Sequence, residues 1–431
     1  MIRGCIILSS VHEKIISKGV IAVKDGRIIN VCTEEKAPPI NADEIIDAEG
    51  KVAMPGLINC HTHTPMSILR GVAEDQELEV WLEESIWPLE AKLTASDVYY
   101  GALLSCLEMI KNGVTCFADM YFYEEEVAKA VKESGLRAVL APGILEAGDM
   151  ERGERMLKDA IRIYKRYNGL DDNRILVWLG PHAIYSCSLS LLKTIRNEAL
   201  SLRTGIHIHL AESRETVDLV KSEYGKREVP LLKDIGFLGS DVLAAHGIYL
   251  NPNEMLTLAK YQVRLSYNPV SNMKLASGTP RIKDMLDLGI IVGFGTDGPA
   301  SNNSLDIFET MKVGSLLQKV FYRDPRVLPV KKTLEMATLG GAEALGLNEI
   351  IGTLKPGKRA DIILVDLQKP NMVPAHNLYA NLVYSCRGSN VNTVIVNGKI
   401  LMKNRVVITL DEDQVIKNAS RIAERLFNSR Y

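Results

Sequence analysis

His61-Thr62-His63 sets two imidazoles two residues apart, directly after the apolar run Val52-Ala53-Met54-Pro55-Gly56-Leu57-Ile58-Asn59-Cys60. That run reads as a buried strand. Residues i and i+2 of a strand share a face, so two rings at its end can reach one metal ion. A single His-X-His pair is equally compatible with two polar residues at a strand edge. The rest of the chain decides between these readings.

The chain has eight histidines, and most stand where His61 and His63 do, at the C-terminal end of an apolar run. His182 follows Ile175-Leu176-Val177-Trp178-Leu179-Gly180-Pro181, and His207-Ile208-His209 leads into Leu210-Ala211-Glu212. His246 follows Asp241-Val242-Leu243-Ala244-Ala245, and Asp297 follows Ile290-Ile291-Val292-Gly293-Phe294-Gly295-Thr296. Imidazole and carboxylate without thiolate suit zinc or ferrous iron. Three histidines and one aspartate, with a position left for water, make a catalytic site rather than a closed structural one.

Helical patterns separate these runs. In a barrel of alternating strands and helices the strand C-termini converge on one face, where the chemistry sits. Residues 54–354 are therefore expected to form a (β/α)8 TIM-type barrel, with clear helices over 98–111 and 305–318. Residues 1–53 and 355–431 alternate short apolar runs with turn signals. Asp25-Gly26, between Val20-Ile21-Ala22-Val23 and Arg27-Ile28-Ile29, is a hairpin signal. Ala360-Asp361-Ile362-Ile363-Leu364-Val365-Asp366 and Val391 to Lys399 have the same character. The two chain ends are thus expected to build one small β-sandwich, closed by an amphipathic helix over 411–426. Two insertions stand out: 73–93, with Trp81, Trp87 and Glu90, and 143–155, with Arg152 and Arg155. The first is long for a loop on a barrel's active face and is placed to cover the site. The second reads as a loop at the pocket mouth or as a solvated charge run.

Pro55-Gly56-Leu57-Ile58-Asn59-Cys60-His61-Thr62-His63 resembles the first-strand signature of the amidohydrolase superfamily. Further matches occur in order along nearly the whole chain: Gly180-Pro181-His182, His207 to Ser213, Ala245-His246-Gly247, Asn268 to Leu275, Gly295 to Asn303 and Gly352 to Asp361. Within the superfamily the pattern is most similar to the deaminases of 5'-methylthioadenosine and S-adenosylhomocysteine, nearest the 5'-deoxyadenosine deaminase branch. The resemblance implies one divalent metal, zinc or iron, held by His61, His63, His209 and Asp297. It implies an acid/base role for Glu212 beside the substrate ring and a water-orienting role for His246. Glu90 and His182, with Glu212 and Asp297, would contact an adenine nucleoside, which loses its 6-amino group as ammonia. His207 is not carried over as a ligand and reads as a supporting residue. Superfamily members with two metals often bridge them with a modified Lys at the end of strand four; 175–188 contains none, which favours one metal. Some relatives carry an Arg near the position of Pro142; its absence implies a broad 5' pocket unless Arg152 or Arg155 substitutes. The same metal motifs also serve guanine and cytosine deaminases and triazine hydrolases. A non-catalytic assembly protein on this fold would be expected to have lost ligands, yet all are present.

Composition adds boundaries. With 46% hydrophobic and 24% charged residues and a formal net charge of −2, there is no basic footprint for nucleic acid. No apolar stretch approaches the ~20 residues of a membrane helix. Seven cysteines without a CxxC spacing argue for a reducing, cytoplasmic setting. The resemblance implies a homo-oligomer, with a tetramer in view.

Overall fold

The structure, a computed structural model, describes residues 1–39 and 41–428. It is a mixed α/β fold. Two parallel sheets carry the central part of the chain. One pairs the strands Leu57–Thr62, Val114–Tyr121 and Arg137–Ile144, with Ile175–Val177 and Gly180–Pro181 along the last. The other runs Ile206–Leu210, Val242–His246, Arg264–Tyr267, Val292–Phe294. Every residue of Leu57–Thr62, Val114–Tyr121 and Ile206–Leu210 is buried. Parallel strands covered on both faces are near-continuously apolar for this reason, and it is why the apolar runs were visible in sequence.

Backbone hydrogen bonds link the two sheets at both margins. The Leu179 N–H donates to Gly205 O at 3.0 Å and the His207 N–H to Leu179 O at 2.9 Å. On the other side the Asp297 N–H donates to His61 O at 2.9 Å. These bonds draw the C-terminal ends of both sheets to one place. The helices are locally specified. Ala95–Lys111 starts with a capping box between Thr94 and Asp97, and Ile307–Tyr322 starts at Asp306, whose side chain accepts from the Phe308 N–H.

A third, nine-stranded sheet joins the two chain ends. Lys51–Pro55 lies between Ile2–Ile7 and Ile362–Asp366. The hairpin at Asp25-Gly26 forms between Ile16–Lys24 and Arg27–Thr33. The apolar run 52–60 is therefore two strands, not one. Pro55 ends the antiparallel pairing opposite Ile362, and the Gly56 N–H donates to Asp361 O. Leu57 then enters the parallel sheet beside Val114. Gly56 is needed at this switch because a Cβ there would sit 2.0 Å from Thr115 Oγ1. The last helix, Glu412–Asn428, packs on Ala95–Lys111, with Arg425 bound to Asp97 at 2.6 Å. No helix among the described residues is long and apolar enough to cross a membrane.

Candidate active site

His61 is the penultimate residue of the strand Leu57–Thr62, and His63 precedes the short turn Thr64–Leu69. Their Nε2 atoms lie 3.4 Å and 3.2 Å from Asp297 Oδ1. Each ring is oriented through Nδ1. In His61 this atom lies 2.9 Å from His207 Nε2, in His63 2.5 Å from Met120 O, and in His209 2.9 Å from His182 O. Asp297 is fixed by the Gly298 N–H at 2.8 Å and by the Ser271 and Ser301 hydroxyls at 2.6 Å and 3.1 Å.

The electrostatics follow from burial and this crowding. Burial pushes His61 down to about 3, against the nearby Asp297 carboxylate, which favours its charge. Burial would lower His63 too, but Asp297 beside it holds it up at about 9. Asp297 itself, although buried, is kept well below the usual carboxylate range by His61 and His63. His209 is lowered by burial and by its neighbouring histidines.

A divalent cation fits this donor set. His61 Nε2 and His246 Nε2 are buried with no hydrogen-bond partner among the described residues. Ligand atoms of His61, His63 and Asp297 lie within 4.8 Å of one another, as do those of His61, His209 and His246 and those of Glu212, His246 and Asp297. Histidines whose Nδ1 is already engaged and whose Nε2 converges with a carboxylate are the usual donors to such an ion.

Glu212 and His246 face each other across the next two strand ends, with Oε1 to Nε2 at 3.5 Å. Burial raises the Glu212 carboxyl, partly opposed by His246. His246 Nδ1 lies 2.9 Å from Asn272 Oδ1. A carbonyl oxygen only accepts, so in this pair Nδ1 carries a hydrogen and Nε2 is the atom turned toward Glu212.

A cavity of about 850 Å³ opens from this cluster. His63, His209, Glu212, Asp297, Glu90, Tyr121, His182 and Trp81 are among the residues that line it. Glu90 Oε1 accepts from the Tyr121 hydroxyl at 2.5 Å, and burial raises Glu90 to about 7 despite that bond. His182 pairs through Nδ1 with Ser186 Oγ at 2.8 Å, and burial lowers it to about 4. The 73–93 insertion forms short helical turns over the cavity. Arg152 and Arg155 also line it, but from the helix Met150–Tyr167 rather than a loop, because Asp149 caps that helix through the Arg152 N–H. Arg155 is engaged by Asp149 and Glu151 at 3.3 Å and 3.4 Å.

Some residues with a clear place here were not singled out in the sequence. Tyr121 orients Glu90, Asn272 orients His246, and Ser271 and Ser301 hold Asp297. Trp81 was visible only as part of an insertion; its indole N–H is buried with no partner among the described residues and its ring borders the cavity.

Parallel strands that deliver histidines and carboxylates to one end define a hydrolase of the amidohydrolase class, and the chain belongs to that family, whose model matches residues 52–401. Among its relatives, a 5'-deoxyadenosine deaminase of Methanosarcina acetivorans is 48% identical over 411 residues, covering 95% of this chain and 94% of that one. A 5-methylthioadenosine/S-adenosylhomocysteine deaminase of Desulforamulus reducens is 44% identical, covering 99% and 98%. The crystal structure of an adenosine deaminase from Xanthomonas campestris with bound zinc superposes with a TM-score of 0.95 at 31% identity, covering 99% and 98%.

Proposed function

We propose that the protein is a hydrolytic deaminase that converts adenine nucleosides to the corresponding inosine-type products and ammonia. The observation that carries this reading is the contact between Glu212, which lines the cavity, and His246 behind it, both grouped with Asp297. A buried carboxyl 3.5 Å from an imidazole nitrogen sets two proton-carrying groups side by side, where they can serve neighbouring atoms of a reacting ring. Relatives named for deamination of 5'-deoxyadenosine, 5-methylthioadenosine, S-adenosylhomocysteine and adenosine support the substrate class.

His61, His63, His209 and Asp297 would hold one divalent metal, zinc by analogy with the zinc-bound relative. Such an ion lowers the pKa of water to about 7 and so makes a nucleophile available near neutral pH. The chain's own groups do the rest. His246 and Asp297 take up the water's proton and orient the attack on C6 of the purine. Glu212 delivers a proton to N1, discharging the negative charge that builds on the ring, and recovers one from the new C6 hydroxyl as the amino group departs; a positioned proton donor of this kind contributes roughly 10²–10⁴ in rate. Proton return to the departing nitrogen releases ammonia. Glu90 accepts hydrogen bonds from the ribose hydroxyls and His182 contacts the sugar. We read the two parallel sheets as the halves of one (β/α)8 barrel and the nine-stranded sheet as a β-sandwich domain built by both chain ends.

The test is ultraviolet absorbance of metal-replete protein mixed with 5'-deoxyadenosine, 5'-methylthioadenosine, S-adenosylhomocysteine, adenosine and guanine. The expected result is the adenine-to-hypoxanthine spectral shift with the nucleosides and none with guanine. Stoichiometric metal with no turnover of any nucleoside would overturn the substrate class.

A further inference from the structure

Glu212 follows the strand Ile206–Leu210 and His246 ends the strand Val242–His246, so something must fix their separation. The chain after Leu210 turns at Ala211, which has a φ of +49° and is 3% exposed. A residue with a Cβ stays in this left-handed region only when its surroundings hold it there. Here they do so on both sides. Ala211 O accepts from the N–H groups of Ile248 and Tyr249, both at 3.0 Å, which ties the turn to the chain following His246. The Ala211 N–H donates to Glu228 Oε2 at 2.7 Å.

Glu228 comes from a different helix, Glu228–Asp234, and is 4% exposed. Its neighbour Arg227 donates to Tyr249 O, on the other turn. Arg227 is itself fixed by Glu254 through two hydrogen bonds, at 2.8 Å and 3.1 Å. Neither residue lines the cavity. One dipeptide therefore grips both turns from behind: Glu228 the turn that carries Glu212, Arg227 the turn that follows His246.

We propose that Glu228, braced by Arg227, is a positioning residue that holds the left-handed turn at Ala211 and thereby aims Glu212 at the substrate. This rests on the deaminase reading of Glu212 and His246. Without the carboxylate, the buried Ala211 N–H loses its acceptor and the turn can relax toward ordinary φ, swinging the next side chain away. A misplacement of about 1 Å in a reacting group can cost 10²-fold in rate.

The experiment compares Glu228→Leu and Glu228→Gln with wild type for kcat and KM on adenosine, metal content and thermal unfolding. Glu228→Leu is expected to lose kcat by about 10- to 100-fold, with metal content unchanged and KM within about threefold. Glu228→Gln is expected to stay near wild type, because its amide oxygen accepts from the same N–H. If Glu228→Leu does not fold, Glu228→Asp, whose shorter side chain draws the carboxylate away from Ala211, takes its place with the same expectation. A wild-type kcat in the Leu or Asp variant overturns the proposal, as does a Gln variant as impaired as Leu or a loss confined to KM. A metal-replete wild type inactive on every adenine nucleoside would sink the deaminase reading and the positioning role with it. An active wild type with an indifferent variant would sink the positioning role alone.

Discussion

Nδ1 of His61 lies 2.9 Å from Nε2 of His207, and both rings are fully buried. His207 and His209 share a strand, yet only His209 directs Nδ1 to a backbone carbonyl and leaves Nε2 toward the cluster. His207 instead sets the ring of His61. Partners of this kind typically change metal affinity 10- to 100-fold when removed. His207→Phe should keep the fold and lose metal to a competing chelator at correspondingly lower chelator concentration. Metal retention equal to wild type would show that His61 needs no such support.

Asn272 should matter to rate rather than to metal. With its Oδ1 removed in Asn272→Leu, His246 loses the partner that keeps the hydrogen on Nδ1. The expected result is a fall in kcat of about 10- to 100-fold, up to the cost of a misplacement of about 1 Å and less than loss of the group itself, with metal content unchanged. Asn272→Asp, which preserves an acceptor at the same place, should retain more activity than Asn272→Leu.

The division between what the sequence disclosed and what it hid follows from chain locality. His61, His63, His182, His209, His246 and Asp297 were visible because each ends a buried apolar run, and a run of that kind is local information. The structure gathers them because parallel strands end together. Most of their supports come from other segments: Met120 for His63, Asn272 for His246 and Ser271 for Asp297, with only Ser301 close to Asp297 in the chain. A lone Asn, Ser or Tyr in sequence gives no sign of such a partner. The Pro55-Gly56 break was legible as a breaker, but that it separates two sheets depends on Ile362 and Val114, hundreds and dozens of residues away. Likewise 143–155 read as a loop at the pocket mouth or a solvated charge run, although Asp149 starts a helix within it that carries Arg152 and Arg155.

Glu90 gives a pH-dependent signature. Burial raises it from its ordinary 4.5 to about 7, so the folded protein binds this proton more tightly than the unfolded chain. The stabilisation is fully present below the ordinary value and is lost as pH rises through about 7. Glu90→Gln removes the titration. It should therefore match wild type in thermal stability near pH 4 and exceed it at about pH 8, by on the order of 2 kcal/mol. Activity should move the other way: the variant should lose more on adenosine than on free adenine, because the carboxylate's proposed partners are ribose hydroxyls. Equal losses on both would remove the ribose role.

The parallel sheets and the end sheet are locked by a buried ion pair. Arg137, at the start of Arg137–Ile144, donates from Nε to Asp361 Oδ2 at 2.8 Å and from Nη2 to Oδ1 at 3.1 Å, with both side chains at most 2% exposed. Asp361 precedes the strand Ile362–Asp366 and also accepts from the Asn397 N–H at 2.8 Å. Removing one partner of such a pair leaves an uncompensated charge in the interior, which costs about 3–5 kcal/mol. Replacing both by apolar residues of similar volume is far milder, because the desolvation cost disappears with the charges. Arg137→Met alone should therefore lower the unfolding temperature by many degrees, and Arg137→Met with Asp361→Leu should recover part of that loss, the Asn397 N–H keeping recovery incomplete. Thermal unfolding of the metal-replete variants checks this. A double variant no more stable than Arg137→Met would mean that the pair contributes through its hydrogen-bond geometry and not through charge compensation.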